Sequence, residues 1–547
     1  MSGGYYLRAV EEADRELLFE WANDEETRRE SFSQAPITWE GHAAWFARTQ
    51  TDEACRHWIL MVPGGRQERM AQGRGAGTET VAAENAERTG SGQTPAAAYP
   101  AGVLRLKREE SGAYCLSYSI APAYRGHGYG TILLGLAKTW MIAECPDCVK
   151  IYGEVKAENT ASVRCFERAG YERAADETAA DQPVFCFYAD LTRENVLYFR
   201  ADGGGETGIG HLMRCFTIAD ACRERGMQAV FVAADEGAEA MTLERGYPCR
   251  VLNTDYRDMN SELPKLIPVL RECAPVVLDS YFLTEPYVNA LRGSGHPVVW
   301  MDDLAEQEFS VDIRINYNLY AEHAERPEDG EGADDRGKAE GCLELLGPSY
   351  APVRPSFLRT GAFVRERIGK VLVLTGGSDP LGAGLFFARL LTKQLPDAEI
   401  FVVIGPYAEG KEALRSYAEQ EKRIELMEGC SDLSEIMQRC DLAVTAAGST
   451  LYELCASGLP GIVYYIADNQ RMGAEALARR TGAANLGDFR SDSFRAEAEK
   501  KLEAALRGLY TESGRQNLAK RMKELVDGHG AVRIAEKLKE LAEKYET

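Results

Sequence analysis

The 547-residue chain has no apolar run of the roughly 20 residues that a bilayer span takes. Its start, MSGGYYLRAVEEAD, has no basic region leading into an apolar stretch, so no secretory leader is expected. Positive charge is in deficit. A formal net charge of −22 excludes a general binder of nucleic acid or of anionic membrane. It leaves a phosphorylated substrate open, because a site is local. Metal-ligand patterns are scarce as well. Cys145 and Cys148 form a lone CxxC without a second ligand pair at suitable spacing. No Asp-x-Asp pair or His-Glu cluster points to a required cation, so no metal is expected. The remaining cysteines are scattered, several in apolar segments (Cys215, Cys222, Cys440, Cys455). They read as reduced core residues of a cytoplasmic protein.

What is present is ample core-forming sequence. At roughly 150 residues per domain, the length predicts about three or four domains. Residues 1–193 and 196–547 differ in pattern, and the join falls near Leu191–Asn195, where VFCFYADL ends and NVLYFRAD begins. Two segments lack any helical or strand period, Gly64–Ala101 and Ala324–Gly341, and both read as solvated loops. The first separates HWILMV from GVLRL, which otherwise look like neighbouring strands of a hairpin. In the second part, apolar runs bounded by Gly, Asp or Ser recur: VLYFRA, AVFVA, PVVLDS, PVVWMDD, KVLVLTGG, EIFVVIG, DLAVTAAG and GIVYYI. Helix-length segments separate many of them, the pattern of parallel strands covered on both faces. A Pro-rich break at Tyr350–Arg367 divides this part into two doubly wound, Rossmann-like lobes, 196–355 and 356–547. The ligand is expected in the crevice at the C-terminal strand ends.

In the first part, YCLSYSIAPAYRGHGYGTILLGLAKTWMI reads as strand, turn and long apolar-faced helix. The glycines of the turn let backbone N–H groups approach a pyrophosphate at a helix start. EVKAENTASVRCFERAGY is a second strand-to-helix passage. Together the two resemble the GNAT N-acetyltransferases, an α+β fold. The resemblance implies acetyl-CoA as co-substrate, with Arg125, Gly126, Gly128 and Gly130 at its pyrophosphate and Asn159 at its pantetheine arm. Glu154 stands where some relatives carry a base, or is a solvent-facing strand residue. Transfer to an amine also needs an acid for the leaving thiolate. The family often has Tyr where this chain has Phe166, so that role is open. Tyr118, Tyr124 and Tyr129 are nearby in sequence.

The stretch Arg200–Cys215, RADGGGETGIGHLMRC, joins a strand to a helix through a Gly-rich turn with a histidine at the helix mouth. A helix N-terminus favours negative charge and biases His211 toward the neutral imidazole that a general base needs. A satisfied structural histidine at a helix cap is the alternative. Gly376, Gly377 and Ser378 follow a strand, so their backbone can cradle phosphate. Gly448, Ser449 and Thr450 open a helix and offer it N–H groups. Glu453 comes one turn later. LDSYFL, MDDLA, INYN, LLGPSYAPVR, GGSDP and AAGSTLYELCASGLP follow in order. With the opening stretch they resemble the UDP-sugar hydrolases of pseudaminic acid biosynthesis, which are similar in fold to GT-B glycosyltransferases. The resemblance implies hydrolysis of UDP-2,4-diacetamido-2,4,6-trideoxy-β-L-altropyranose to UDP and free sugar without a metal. It implies a substrate site at Gly210, Tyr281, Asn469 and Gln470, with Glu453 on the ribose hydroxyls. Asp202 orients the loop or caps an Asx-type turn.

The two halves would then act in sequence: acetylation of the 4-amine of UDP-4-amino-4,6-dideoxy-N-acetyl-β-L-altrosamine, followed by removal of UDP. Two other readings stay open, a GT-B glycosyltransferase fused to an acetyltransferase and a non-catalytic nucleotide-sugar binding protein. The sequence does not fix the oligomeric state.

Overall fold

The computed structural model describes residues 4–63, 98–174, 183–204, 209–304, 307–321, 341–358, 365–377, 379–405, 408–430 and 432–545. Most of the two expected loops, 64–97 and 324–340, lies outside them, as does Ser378. Ala98–Ala101, expected to end the first loop, instead open a strand. Their backbone pairs across the sheet, and Ala101 is fully buried.

The N-terminal domain is a mixed seven-stranded sheet in the order β1-β2-β3-β4-β5-β7-β6. Its strands are β1 (Tyr6–Ala9), β2 (Cys55–Pro63), β3 (Ala98–Arg108), β4 (Tyr114–Ile120), β5 (Lys150–Lys156), β6 (Glu172–Arg173) and β7 (Val184–Asp190). β2 and β3 form the expected antiparallel pair. Helices α1 (Arg15–Asn23), α2 (Glu25–Glu30) and α3 (Trp39–Thr51) precede β2; α4 (Tyr129–Glu144) and α5 (Thr160–Arg168) follow β4 and β5. β4 and β5 are parallel neighbours, with pairing confined to Tyr114–Ile151 and Cys115–Tyr152.

The second sheet is wholly parallel, in the order β10-β9-β8-β11-β12-β13-β14. It comprises β8 (Val196–Ala201), β9 (Gln228–Ala233), β10 (Cys249–Val251), β11 (Val276–Asp279), β12 (Val298–Met301), β13 (Ile313–Asn316) and β14 (Leu343–Leu346). Helices α6 (Gly210–Arg223), α7 (Glu239–Glu244), α8 (Leu263–Leu266) and α9 (Glu285–Gly293) connect these strands. Every residue of β8 is buried, as a strand covered on both faces requires. The third sheet, order β17-β16-β15-β18-β19-β20, is parallel too. Its strands are β15 (Lys370–Leu374), β16 (Glu399–Ile404), β17 (Ile424–Glu428), β18 (Leu442–Ala446), β19 (Gly461–Tyr465) and β20 (Ala484–Asp488). Helices α10 (Ala383–Gln394), α11 (Lys411–Gln420), α12 (Ser434–Arg439), α13 (Thr450–Ser457), α14 (Asp468–Thr481), α15 (Asp492–Leu509), α16 (Glu512–Leu525) and α17 (Gly530–Tyr545) complete this lobe in sequence. In space, α17 returns to pack on α6 of the preceding lobe, where Tyr545 donates to Asp312 at 2.8 Å.

The N-terminal domain and the first lobe share one core. Leu133, Ala137, Trp140 and Met141 of α4 belong to the same buried cluster as Tyr198, Val230, Val232 and Val276 of the second sheet, and α4 lies against β9. Polar contacts pin the seam. Lys138 donates to Glu194 at 2.8 Å, Gln228 donates to Glu194 at 2.7 Å, and Arg250 pairs with Glu144 at 3.0 Å. Arg271 of the first lobe donates to three carbonyls of the N-terminal domain, those of Pro146, Cys148 and Leu191. Replacing Arg271 with Ala strips those carbonyls of a charged donor. At about 1.5–3 kcal/mol for a hydrogen bond to a charged group, the variant should melt several degrees lower by calorimetry and become open to proteolysis near Glu194. An unchanged melt would show that Arg271 does not contribute to holding the seam.

Candidate active site

The second sheet ends its central strands at a cleft of about 200 Å³ lined by Asp202, His211, Tyr256, Arg257, Asp279, Ser280, Tyr281 and Phe282. Two of these come from adjacent strand ends: Asp202 follows β8 and Asp279 closes β11, which pairs with β8. α6 begins at Gly210, so His211 sits at its second position, at the helix mouth expected from the sequence. Residues 205–208 of the preceding turn lie outside the described residues.

The centre of the site is a buried carboxylate. Asp279 is 1% exposed. Its Oδ1 lies 2.5 Å from His211 Nδ1 and accepts from Arg214 Nη2 at 2.6 Å; its Oδ2 accepts from Arg214 Nε at 2.6 Å. Burial alone would push the Asp279 carboxyl up. The Arg214 guanidinium, aided by His211, overcomes this and holds the group well below the usual carboxylate range. A carboxylate only accepts, so Nδ1 of His211 carries the hydrogen. Nε2 is then the ring nitrogen left for the cleft that His211 lines. Neither Asp279 nor Arg214 was singled out from the sequence. The Asp of PVVLDS reads equally well as a strand boundary, and Arg214 is simply one helical turn beyond His211.

Tyr281 stands edge-on to the His211 ring, with centroids 4.6 Å apart, and donates to Asp303 at 2.8 Å. Burial, and then Asp303, push its hydroxyl up, so it stays protonated. Asp202 is held from both sides: Arg200 donates to Oδ2 at 2.6 Å and the Ala234 N–H to Oδ1 at 2.8 Å. Arg200 is itself fully buried and makes a bidentate pair with Glu262. Asp202 therefore fixes the end of β8 against the end of β9.

The second lobe faces this cleft through aromatic and polar contacts. Arg214 donates to the Tyr317 hydroxyl at 2.9 Å, and the Tyr317 ring meets Tyr452 of α13 edge-on at 5.1 Å. Tyr452 in turn donates to Asn318 at 3.2 Å. Gly448 and Ser449 precede α13, which Thr450 opens, so the helix start lies one turn from Tyr452. Glu453, on the next residue, accepts from Arg354 at 3.2 Å, while burial pushes its carboxyl up. Gly376 has φ +84°, and the carbonyls of Gly376 and Gly377 approach Gly405 so closely that a Cβ there would meet them at 2.5 and 2.3 Å. That contact fixes the loop after β15. Gln470 accepts from the Ile466 N–H at 3.0 Å, and its amide nitrogen lies near Gly448; Asn469 is exposed at the start of α14.

In the N-terminal domain, Gly126 (φ +76°) and Gly128 (φ +83°) shape an exposed turn, and nothing lies within 4 Å of a Cβ built on either. Gly128 caps α4, whose first N–H groups have no partner within the helix. The Arg125 guanidinium ties this turn to α2 through Asp24 at 2.6 Å, Thr27 at 2.8 Å and Glu26 at 2.9 Å. Gly130 is buried, and a Cβ there would meet Cys165 Sγ at 2.8 Å, so it lets α4 and α5 approach. Asn159 caps α5 by accepting from the Ser162 N–H at 3.0 Å. Glu154 is exposed on β5. Phe166 is 1% exposed and stacks on Phe187 in the domain core. Among the described residues no cluster of three His, Cys, Asp or Glu could hold a metal, and no helix is long and apolar enough to cross a membrane. All fourteen cysteines are free thiols.

Comparison with known proteins assigns both ends of the chain. Residues 5–172 match the acetyltransferase (GNAT) domain, and residues 371–541 match the glycosyltransferase family 28 C-terminal domain. The chain is thus a GNAT acetyltransferase domain fused to a GT-B-like pair of α/β lobes. The spore coat polysaccharide biosynthesis protein SpsG of Bacillus subtilis is 25% identical over 358 residues, covering 63% of this chain and 98% of that protein. An uncharacterized protein of Methanocaldococcus jannaschii is 23% identical over 305 residues, covering 54% of this chain and 60% of its own length. Among solved structures, the spermidine N-acetyltransferase of Vibrio cholerae, in complex with CoA and spermine, aligns over 35% of this chain and 97% of its own, at 17% identity and a TM-score of 0.26.

The depressed Asp279 carboxyl links stability to pH. Its ionised form stabilises the fold above the unfolded-state pKa of about 4, and that contribution is lost as pH falls from there toward the folded-state value. Asp279→Asn should cost about 3 kcal/mol at neutral pH by leaving Arg214 without its main partner. It should also flatten the acid limb below about pH 4, read from urea midpoints against pH. An acid limb as steep as wild type would show that Asp279 is not the group responsible.

Proposed function

We propose that this fusion catalyses two consecutive steps on a UDP-amino sugar. The N-terminal domain transfers the acetyl group of acetyl-CoA to the 4-amine of UDP-4-amino-4,6-dideoxy-N-acetyl-β-L-altrosamine. The lobes then hydrolyse the product, UDP-2,4-diacetamido-2,4,6-trideoxy-β-L-altropyranose, to UDP and free sugar. The observation that carries the second step is the His211–Asp279–Arg214 array at the cleft. The GNAT match supports the first, and the sugar is the one implied by the family that the ordered motifs of the chain resemble. SpsG, by its name a polysaccharide biosynthesis protein, agrees with a sugar pathway.

In the first step the turn at Gly126 and Gly128, with the first turn of α4, holds the coenzyme's diphosphate, where backbone N–H groups and the helix dipole favour anions. Glu154, exposed beside the β4–β5 opening, takes the proton from the attacking amine directly or through water. In the second step His211 Nε2 removes a proton from water as that water attacks the anomeric carbon. Asp279 keeps the ring in the correct tautomer and balances the imidazolium that forms. The bond from the anomeric carbon to the diphosphate oxygen breaks. The charge gathering on UDP is met by the start of α13 at Gly448, Ser449 and Thr450 and by the Gly376–Gly377 loop. Glu453 accepts from the ribose hydroxyls, and Tyr281, Asn469 and Gln470 position the sugar or the water.

A second reading is favoured by the match to the glycosyltransferase family 28 C-terminal domain. In it the same base serves an acceptor hydroxyl in place of water, and the sugar is transferred.

The test is a paired assay of free thiol and UDP with the 4-amino substrate. With acetyl-CoA present, thiol release should precede UDP release. His211→Ala should lower UDP release by about a thousandfold or more, the scale of losing a general base, while thiol release continues. UDP release that requires an added acceptor selects glycosyl transfer. Neither product from wild type overturns the proposal.

A further inference from the structure

The leaving thiolate of the acetyl-transfer step needs a hydrogen-bond donor, and Phe166 cannot supply one. Its ring is buried and stacked on Phe187. The Phe166 ring lies over Gly153, its para carbon 2.8 Å from where a Cβ would sit, so the missing side chain of Gly153 admits the ring. A different hydroxyl arrives one turn away on the same helix. Tyr118 projects from β4 and its hydroxyl lies 3.1 Å from Ser162 Oγ, four residues before Phe166 on α5. Its ring stands edge-on to Phe166 at 5.9 Å. It also reaches α4, with Cε2 3.4 Å from a Cβ built on Gly130. Tyr118 therefore sits where the first turns of α4 and α5 converge. It is on the part of β4 that no longer pairs with β5, since pairing stops at Cys115. The glycine turn at Gly126–Gly128 leads directly into α4, whose second residue is Gly130, so the hydroxyl-bearing ring lies close in sequence and space to the start of that helix.

We propose that Tyr118 donates a hydrogen bond to the sulfur of the acetyl thioester, in the place of the tyrosine that Phe166 replaces. This rests on the acetyltransferase reading of the N-terminal domain. The amine nitrogen bonds to the acetyl carbon and the carbon–sulfur bond breaks. The electron pair stays on sulfur under the Tyr118 O–H, and the thiolate takes its proton from solvent as the amine's proton leaves to the base. Tyr118 itself is not consumed. Burial holds its hydroxyl well above the ordinary tyrosine range, so it remains a donor at neutral pH.

The test titrates the ultraviolet absorbance of the thiolate of coenzyme A bound to the full chain, for wild type and Tyr118→Phe. Phenylalanine keeps the ring packing and removes only the hydroxyl. The bound thiol's pKa should rise by about one unit or more in the variant, the scale of one hydrogen bond to a charged group. Turnover number for thiol release should fall about tenfold or more with it. Equal thiol pKa values in wild type and Tyr118→Phe overturn the proposal. Failure of wild type to bind coenzyme A or release thiol overturns the acetyltransferase reading instead.

Discussion

A carboxylate buried at the end of a central parallel strand sets the terms for this molecule. Asp279 has almost no contact with solvent, so its charge survives only with a fixed cation beside it. Arg214 supplies that cation from α6, and its geometry leaves one direction on the carboxylate for the His211 ring. The same guanidinium reaches Tyr317, which packs on Tyr452 of the second lobe. One electrostatic requirement thus orients the imidazole, anchors the start of α6 and brings the α13 terminus toward the cleft.

The acetyltransferase domain is attached by comparable logic. α4 carries the glycine turn at its N-terminus and also covers part of the second sheet, so it belongs to two functional halves at once. Polar contacts from the first lobe reach Glu194 and the segment after α4 from the beginning of the strands: Gln228 opens β9 and Arg271 lies before β11. The cleft with His211 is at the opposite, C-terminal ends of those strands. In the proposed sequence the acetylated sugar leaves one site and is captured at the other.

Much of the architecture was legible because parallel strands buried on both faces are unbroken apolar runs, and eight of those runs coincide with strands. The short edge strands escaped. Leu343–Leu346 is only four residues long, half exposed and interrupted by Glu344, and Ala484–Asp488 contains Gly and Asp, so neither forms an unbroken apolar run. His211 was legible from its glycine-rich turn, whereas Asp279 lies 68 residues away and becomes its partner only through the pairing of β8 with β11. The shared core was hidden for another reason. α4 is apolar around most of its circumference, and a helix buried within one domain reads the same as one buried between two. Gly130 shows the limit of motif reasoning: it belongs to the glycine turn by position, yet its missing side chain admits Cys165.

Delivery of water by His211 to the anomeric carbon, as proposed for the second step, leaves an isotopic trace. With that step run in ¹⁸O-labelled water and both products read promptly by mass spectrometry, the free sugar should carry label and UDP should not. Label in UDP would place the attack at phosphorus, and an acceptor-bound sugar without label would make the reaction a transfer; either result would overturn the proposed hydrolysis.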